Sequence, residues 1–589
     1  MNREHRTNWP GFFVACLSAL ALMTSCRHSS LPPLADDAEV ARRADAAGEP
    51  LIIGEAVPQY VERRTIAIDG QFEDWSNLSA VAVGHSTYEG SPYVRLGRVW
   101  TTYDDAWVYF RIELGRLVNV QGLTGTLSLQ LDADGNRLTG DIRTGGTGEV
   151  GIAGVDFEIN FSPRGSKGGF GGVGAEVIEA GLPTAPANPY WFGASFAPTY
   201  ASDQIELRLA RGGLIPGATV MPFMSPTFSA RITFTDEVGS IVDRTQPFSI
   251  ALRAVPRAEV TFESTPANEA EMAVGEAQQV EGAAPDSSAS VIELGGESPA
   301  VEAEPVEESS AVRSAPTSGR LARMDRRDVR AMTWNVLNGA MLHNPEPFVR
   351  VVRAVDPDII CLQELGKDVT DGVLRAWLNE HLPTTFGWEV MISPDQDVAV
   401  ASRLSAVPVT SISGFDGPDA PQVRSASLLV AAANRRVLVT SVHLKCCGRA
   451  GDPNDQKRVK EAEAIRRLLR AAQFDLRPSG LLIMGDFNLV GSYEPMEIVK
   501  FQNDLNATDL LVVDPYVRGD STNTTWRDPE QPFLPARLDY ALISDAVLRV
   551  AQCFVLDTDR LGEDELTTLG LLREDSGASD HLPVIIDFH

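Results

Sequence analysis

A chain of 589 residues exceeds one ordinary domain of about 100–200 residues, and 43% hydrophobic with 22% charged residues is the composition of a soluble protein. Its 51 Lys+Arg against 80 Asp+Glu leave a net charge of -29, the wrong sign for a protein that grips long nucleic acid mainly through phosphates. Residues 1–257 carry 21 basic against 28 acidic side chains, residues 258–325 carry 3 against 14, and residues 326–589 carry 27 against 38, so a duplex substrate would need a local basic groove or divalent cations.

In chain order, Arg3 and Arg6 precede the apolar stretch Phe12 to Met23, which is too short to span a bilayer comfortably, and Thr24 and Ser25 lead to Cys26. Residues 1–25 resemble a bacterial lipoprotein signal, which implies cleavage before Cys26, lipid attachment to its thiol and a lipid-anchored, extracytoplasmic protein, periplasmic or surface. Ordinary secretion is the alternative, and either route predicts export. Residues 26–57 are expected to be a flexible segment.

Residues 58–255 read as an all-β sandwich. Short apolar segments such as Trp107–Ile112, Leu127–Leu131 and Phe157–Asn160 are separated by Gly, Asp and Asn turns. Asp132, Asp134 and Asn136, followed by Asp141, place oxygen ligands at alternate positions around a Gly turn, a spacing that suits a structural Ca²⁺. The alternative is an acidic hairpin turn with no ion. The region resembles the family 9 carbohydrate-binding modules through Ile68-Asp69-Gly70 with Asp74-Trp75, Tyr103-Asp104-Asp105 and Leu131 to Asn136. That resemblance implies a glycan ligand, with Trp75, Trp107 and Trp191 as a stacking platform, against the ordinary fate of such aromatics in a core.

Residues 256–325 change character. No Lys or Arg occurs between Arg257 and Arg313, while Ala, Glu, Pro and Ser dominate. Such a segment buries too little apolar surface to offset its conformational entropy, so it reads as a disordered acidic tether between independently folding modules.

From Val329 onward apolar strands recur with polar residues at their ends. Val329–Trp334 leads to Asn335, Ile359–Gln363 to Glu364, Val437–Val442 to His443, and Leu481–Gly485 to Asp486 and Asn488. Leu538-Asp539-Tyr540 opens another strand, and Ser579-Asp580-His581 precedes the last. Two amphipathic helices fit between them, one on Phe348, Val351, Val352 and Val355, the other on Val459, Ala462, Ile465 and Leu469. Strand alternation puts Asp486 and Asn488 on one face and returns Phe487 to the core, while Gly485 leaves room for a backbone or substrate to come close.

Thr333-Trp334-Asn335, Leu362-Gln363-Glu364, Val442-His443-Leu444, Gly485-Asp486-Phe487-Asn488, Leu538-Asp539-Tyr540 and Ser579-Asp580-His581 are similar, in that order, to the motifs of the endonuclease/exonuclease/phosphatase superfamily. The resemblance implies that residues 326–589 form an α/β four-layer sandwich, two central β-sheets flanked by helices, making the whole chain multidomain. It implies a metal-dependent phosphoric ester hydrolase using Mg²⁺ or Mn²⁺, with Asn335, Glu364 and Asp580 at the metal and Asp486, Asn488, Asp539, His581 and His443 as catalytic residues. The implied partner is a phosphodiester, either nucleic acid, as for a nuclease, or a phospholipid headgroup, as for a sphingomyelinase. A third reading is a glycan-binding surface lipoprotein with an inactive scaffold. Cys361, Cys446, Cys447 and Cys553 are compatible with three fully paired connectivities or with free thiols.

Overall fold

The computed structural model describes residues 52–53, 56–85, 93–143, 150–164, 171–179, 182–183, 193–212, 222–253, 320–412, 414–415 and 422–589. The signal segment, Cys26, Trp191 and the tether as far as residue 319 lie outside the described residues. Among the described residues no helix is long and apolar enough to cross a membrane.

The N-terminal region is built on two large sheets. One is eight-stranded, with Phe157–Phe161, Thr126–Asp132, Thr227–Thr235 and Phe248–Ala251 as successive antiparallel neighbours at its centre. The other is five-stranded and runs Ser195–Ala197, Ser202–Ala210, Trp107–Val118, Arg98–Tyr103, Ala82–Val83. Alternate residues of both, among them Phe110, Ile112, Leu129, Ile159, Leu207 and Ile232, share one core. Of the expected sugar platform, Trp75 is only 1% exposed and donates its indole N–H to Glu206, while Trp107 has a ring face covered by the Arg208 guanidinium at 3.8 Å. Packing thus engages Trp75 fully and Trp107 on one ring face.

In the C-terminal region, besides a two-stranded ribbon of Gly414–Phe415 and Gln422–Val423, the strands are β1 Val329–Asn335, β2 Ile359–Gln363, β3 Glu389–Ile392, β4 Val398–Ser402, β5 Ala406–Pro408, β6 Ser425–Ala432, β7 Arg435–His443, β8 Gly480–Asp486, β9 Leu511–Val513, β10 Asp539–Ile543, β11 Val550–Val555 and β12 Val584–Phe588. They form two six-stranded sheets, β3-β4-β2-β1-β12-β11 and β5-β6-β7-β8-β10-β9. Each sheet has a parallel pair at its heart, β1 with β2 and β7 with β8.

Alternation along these strands divides their side chains between clusters. Ala331, Ile359, Val439, Leu482, Met484 and Ile586 from both sheets share one core. Met332, Trp334 and Ile360 pack instead with helices α1 Pro345–Val355 and α2 Asp371–His381, and Leu438, Leu481 and Ile483 with α3 Pro453–Leu476. Strands buried on both faces read as continuous apolar runs, which is why the sequence shows runs rather than alternation. The helix stop at Asp356 is a left-handed cap (φ 52), and α3 starts on the Asp452 side chain, which accepts from Asp455 N.

Gly485 serves the sheet rather than a ligand. Its φ is +147, and a Cβ there would lie 2.0 Å from the Val442 carbonyl oxygen on the parallel neighbour β7. Gly485→Ala is therefore expected to cost at least about 1–3 kcal/mol, the scale of forced backbone strain. A thermal melt checks this, and an unchanged Tm would show that β7 and β8 separate at no cost.

The two regions do not hang apart on a tether, as their sequence suggests. Leu534 of the C-terminal region is fully buried in the β core, and Tyr200 of the β region packs at a tilt against Tyr493 with centroids 4.5 Å apart. Ile68 N donates to Ser521 O at 2.8 Å, Ala201 N to Gly491 O at 2.7 Å and Val173 N to Pro532 O at 2.6 Å. Asp69, from the expected carbohydrate-module motif, accepts from the Tyr516 hydroxyl, and its carbonyl accepts from Asn523 Nδ2. The tether limits only how the chain is connected; packing between the folded parts decides how they sit.

Candidate active site

Each sheet delivers its polar residues at the ends of its central strands. Asn335 closes β1, Glu364 follows β2 in a left-handed conformation (φ 57), His443 closes β7, Asp486 closes β8 and Asp539 opens β10. Non-glycine residues held at positive φ store strain that surrounding structure must offset, which is common at functional sites. Asn488 is another (φ 48): β8 has ended, and it is the turn that brings Asn488 back to Asp486, whose two carboxylate oxygens accept from Asn488 N at 2.9 Å and Nδ2 at 2.8 Å. Phe487, just past the end of β8, turns inward as expected and is fully buried and edge-on to Tyr540.

The neighbouring motif residues are braces. Gln363 is buried between Thr333 and Ser441, with its Nε2 donating to both hydroxyls at 3.0 and 2.9 Å. Ser579 Oγ donates to Asn335 O at 2.7 Å, and Trp334 Nε1 donates to His581 O at 2.9 Å. These bonds tie β1, β2 and the chain entering β12 into one frame.

Within that frame Asn335 Nδ2 donates to Glu364 Oε1 at 3.1 Å and to Asp486 Oδ2 at 3.3 Å. Ligand atoms of Glu364, His443 and Asp486 all lie within 4.8 Å of one another. Two hard carboxylates beside an amide and an imidazole form a donor set that fits a divalent cation such as Mg²⁺ or Mn²⁺. Asp580, expected at the metal, is not part of this group. Its Oδ2 accepts from Trp526 Nε1 at 2.9 Å, and its Oδ1 is buried with no partner among the described residues.

His581 Nδ1 is 2.7 Å from Asp539 Oδ2, and its Nε2 is 3.8 Å from Asp486 Oδ2. Burial works against a charged imidazole, but the Asp539 and Asp486 carboxylates outweigh it and push the His581 pKa up to about 10. Burial also raises Asp486, to about 6, against the opposing pull of His581 and His443. One group is thus kept cationic at neutral pH and the other is a carboxylate whose basicity lies close to neutrality.

His443 has partners that carry no motif. Its Nδ1 is 2.6 Å from Asp397 Oδ2 and 2.9 Å from Arg424 Nη1, and its Nε2 faces Asp486 Oδ2 at 3.6 Å. Burial would raise Asp397, yet His443 and Arg424 hold its carboxyl below the usual range. Asp397 sits in the turn between β3 and β4, where an Asp reads as an ordinary turn former.

A second acidic group lies in the β region. Asp132, Asp134 and Asp156 bring carboxylate oxygens within 4.8 Å of one another, whereas Asn136 Oδ1 accepts from Leu138 N and Asp141 pairs with Arg143. Burial, then repulsion from Asp156 and Asp134, pushes Asp132 up to about 8. Asp156 joins through sheet pairing, from a position too distant in sequence for loop spacing to reveal.

All four described cysteines are free; Cys446 and Cys447 lie side by side on the rim of the cleft, and Cys361 is buried.

No curated protein matches the chain. Among solved structures, the human Nocturnin catalytic domain with bound sulfate is similar at 20% identity over 45% of this chain and 95% of its own, with a TM-score of 0.29. The 3'-5' exonuclease NExo of Neisseria meningitidis is similar at 24% identity over 44% and 99%, TM-score 0.31, and an AP endonuclease of Archaeoglobus fulgidus at 16% over 44% and 98%, TM-score 0.30. Residues 332–581, a span that holds every site residue from Asn335 to His581, match the model of the Endonuclease/Exonuclease/phosphatase family.

Proposed function

We propose that the protein is a divalent-metal-dependent phosphodiesterase that hydrolyses its substrate by attack of an activated water on phosphorus. The observation that carries this reading is the convergence of Glu364, His443 and Asp486 beside the His581–Asp539 pair. Glu364, with Asn335, would hold a Mg²⁺ or Mn²⁺ ion, which would supply charge neutralisation at the phosphate and a Lewis acid for its oxygens.

The protein's own groups divide the remaining work. Asp486, buried and facing both His443 and His581, accepts the proton of the attacking water as the new phosphorus–oxygen bond forms and the bond to the leaving oxygen breaks. Asn488 fixes the carboxylate through its backbone and side-chain N–H groups. Cationic His581, oriented by Asp539, donates from Nε2 to a phosphate oxygen on the cleft side. His443, anchored by Asp397, offers its Nε2 next to Asp486 as a second phosphate contact. The export and lipid anchoring expected from residues 1–25 and Cys26 belong to the same proposal and rest on that sequence pattern.

Chelation with EDTA is expected to abolish hydrolysis of an aryl phosphodiester, and Mg²⁺ or Mn²⁺ to restore it. Glu364→Gln should raise the metal concentration needed for half-restoration by about tenfold or more, and calorimetric titration should show the same loss of affinity. Full activity in chelator would refute the metal dependence.

A further inference from the structure

The cleft over this constellation is walled by both halves of the chain. It has a volume of about 380 Å³ and is floored by Glu364, Asp486, Asn488, Asp580 and His581. One side comes from the C-terminal region, with Val490, Trp526, Phe533, Leu534 and Leu538, and the opposite rim from Asn119, Gln121, Gly122 and Thr199 of the β region.

The β-region rim is fastened to the loops it faces. Asn119 Nδ2 donates to Val490 O at 2.9 Å and Gly491 O at 3.0 Å, and its Oδ1 accepts from Ala450 N at 2.7 Å. Gln121 Oε1 accepts from Leu534 N at 3.0 Å, and Gly122 O accepts from Arg449 Nη1 at 3.2 Å. Two side chains therefore span three loops: the one leaving Asn488, the one after Cys446-Cys447, and the one carrying Phe533.

The chemistry of the lining limits what can enter. None of the described residues lining the cleft is Lys or Arg, and Asp528 adds another carboxylate. A polynucleotide brings a phosphate on each side of the scissile one, and among the described lining residues no Lys or Arg meets those charges, while Arg449 beside the rim is engaged by Gly122 O. The volume falls in the range of about 300–1,000 Å³ typical of small-ligand pockets. Phe533, 39% exposed, is placed to cover an apolar or planar group beside the phosphate.

We infer that the substrate is a compact phosphodiester bearing one apolar or aromatic group, and that the β region, through Asn119 and Gln121, closes the site to a continuous polynucleotide. This rests on the phosphodiesterase reading of the same site. Phe533 is its specificity-determining residue.

The test uses the full chain with Mg²⁺ or Mn²⁺ and compares kcat/KM for bis(4-nitrophenyl) phosphate with that for single-stranded and duplex oligonucleotides, each per scissile bond. The aryl diester is expected to lead by at least about tenfold, and Phe533→Ala to raise its KM by about fivefold to tenfold while kcat stays within about twofold. Phe533 is partly exposed on a loop, so folding of this variant is not at risk. An oligonucleotide hydrolysed as well as the aryl diester, or an unchanged KM in Phe533→Ala, would overturn the inference and leave the phosphodiesterase reading standing. Failure to hydrolyse any of the three with either ion would overturn both.

Discussion

His581→Ala and Asp486→Asn are each expected to lower kcat by about a hundredfold or more, the scale of a lost proton-transfer or oxyanion-stabilising group. The two side chains face one another across 3.8 Å and act on one transition state, so the double variant should lose less than the product of the single losses. Their positions at strand ends suggest tolerance, but both are buried, and His581→Ala would leave Asp539, itself fully buried, without the imidazole that balances it. A stability loss of about 3–5 kcal/mol is the usual consequence of breaking a buried ion pair. His581→Asn retains a side-chain donor for Asp539 and separates a catalytic loss from a folding loss. The pair also sets a pH signature. The folded-state pKa of about 10 lies above the ordinary 6.5, so its contribution is fully present below pH 6.5 and is lost as pH rises through 10. The Tm gap between the unaltered protein and His581→Ala should narrow across that window. Near-normal turnover in either single variant would remove that residue from the catalytic set.

What the sequence disclosed and withheld follows from how far each signal reaches along the chain. The strands were legible because residues such as Leu481 to Met484 are buried on both faces and leave an unbroken apolar run. The strand-end polar residues were legible because a core does not call for Asn335, Glu364 or Asp486 at such positions. Asp397 and Asp156 were not, since each reaches its cluster through strand pairing from a segment whose own pattern is that of a common turn or strand edge. Hydrophobic patterning says that Trp75 or Leu534 is buried but not against what: Trp75 takes the core position weighed against a sugar platform, and Leu534 is buried in the core of the other region. The acidic segment 256–325 gave the strongest compositional signal in the chain, yet the composition of a connecting segment says nothing about whether the parts it joins pack together.

Asp520→Ala is expected to destabilise the protein by about 3–5 kcal/mol, the effect of leaving a buried charge without its partner. Arg208, on the strand Ser202–Ala210, is 2% exposed, and the Asp520 side chain across the interface is 9% exposed. The guanidinium meets the carboxylate with both terminal nitrogens, Nη2 at 2.6 Å from Oδ2, while its Nε donates to Ser195 Oγ at 2.9 Å and its plane covers Trp107. Burial would raise Asp520, but the Arg208 bonds hold its carboxyl below the usual range, as a firmly paired carboxylate requires. Arg560, 3.8 Å from the same carboxylate and half-open to solvent, has nothing to offer Arg208 once Asp520 is gone, because both are cations. Asp520→Asn keeps one acceptor and should cost less than the alanine change. Because the pair joins the β region to the C-terminal region, the alanine variant should also unfold in two steps in urea, with near- and far-ultraviolet circular dichroism no longer coincident. A single coincident transition at an unchanged midpoint would show that the interface does not depend on this pair.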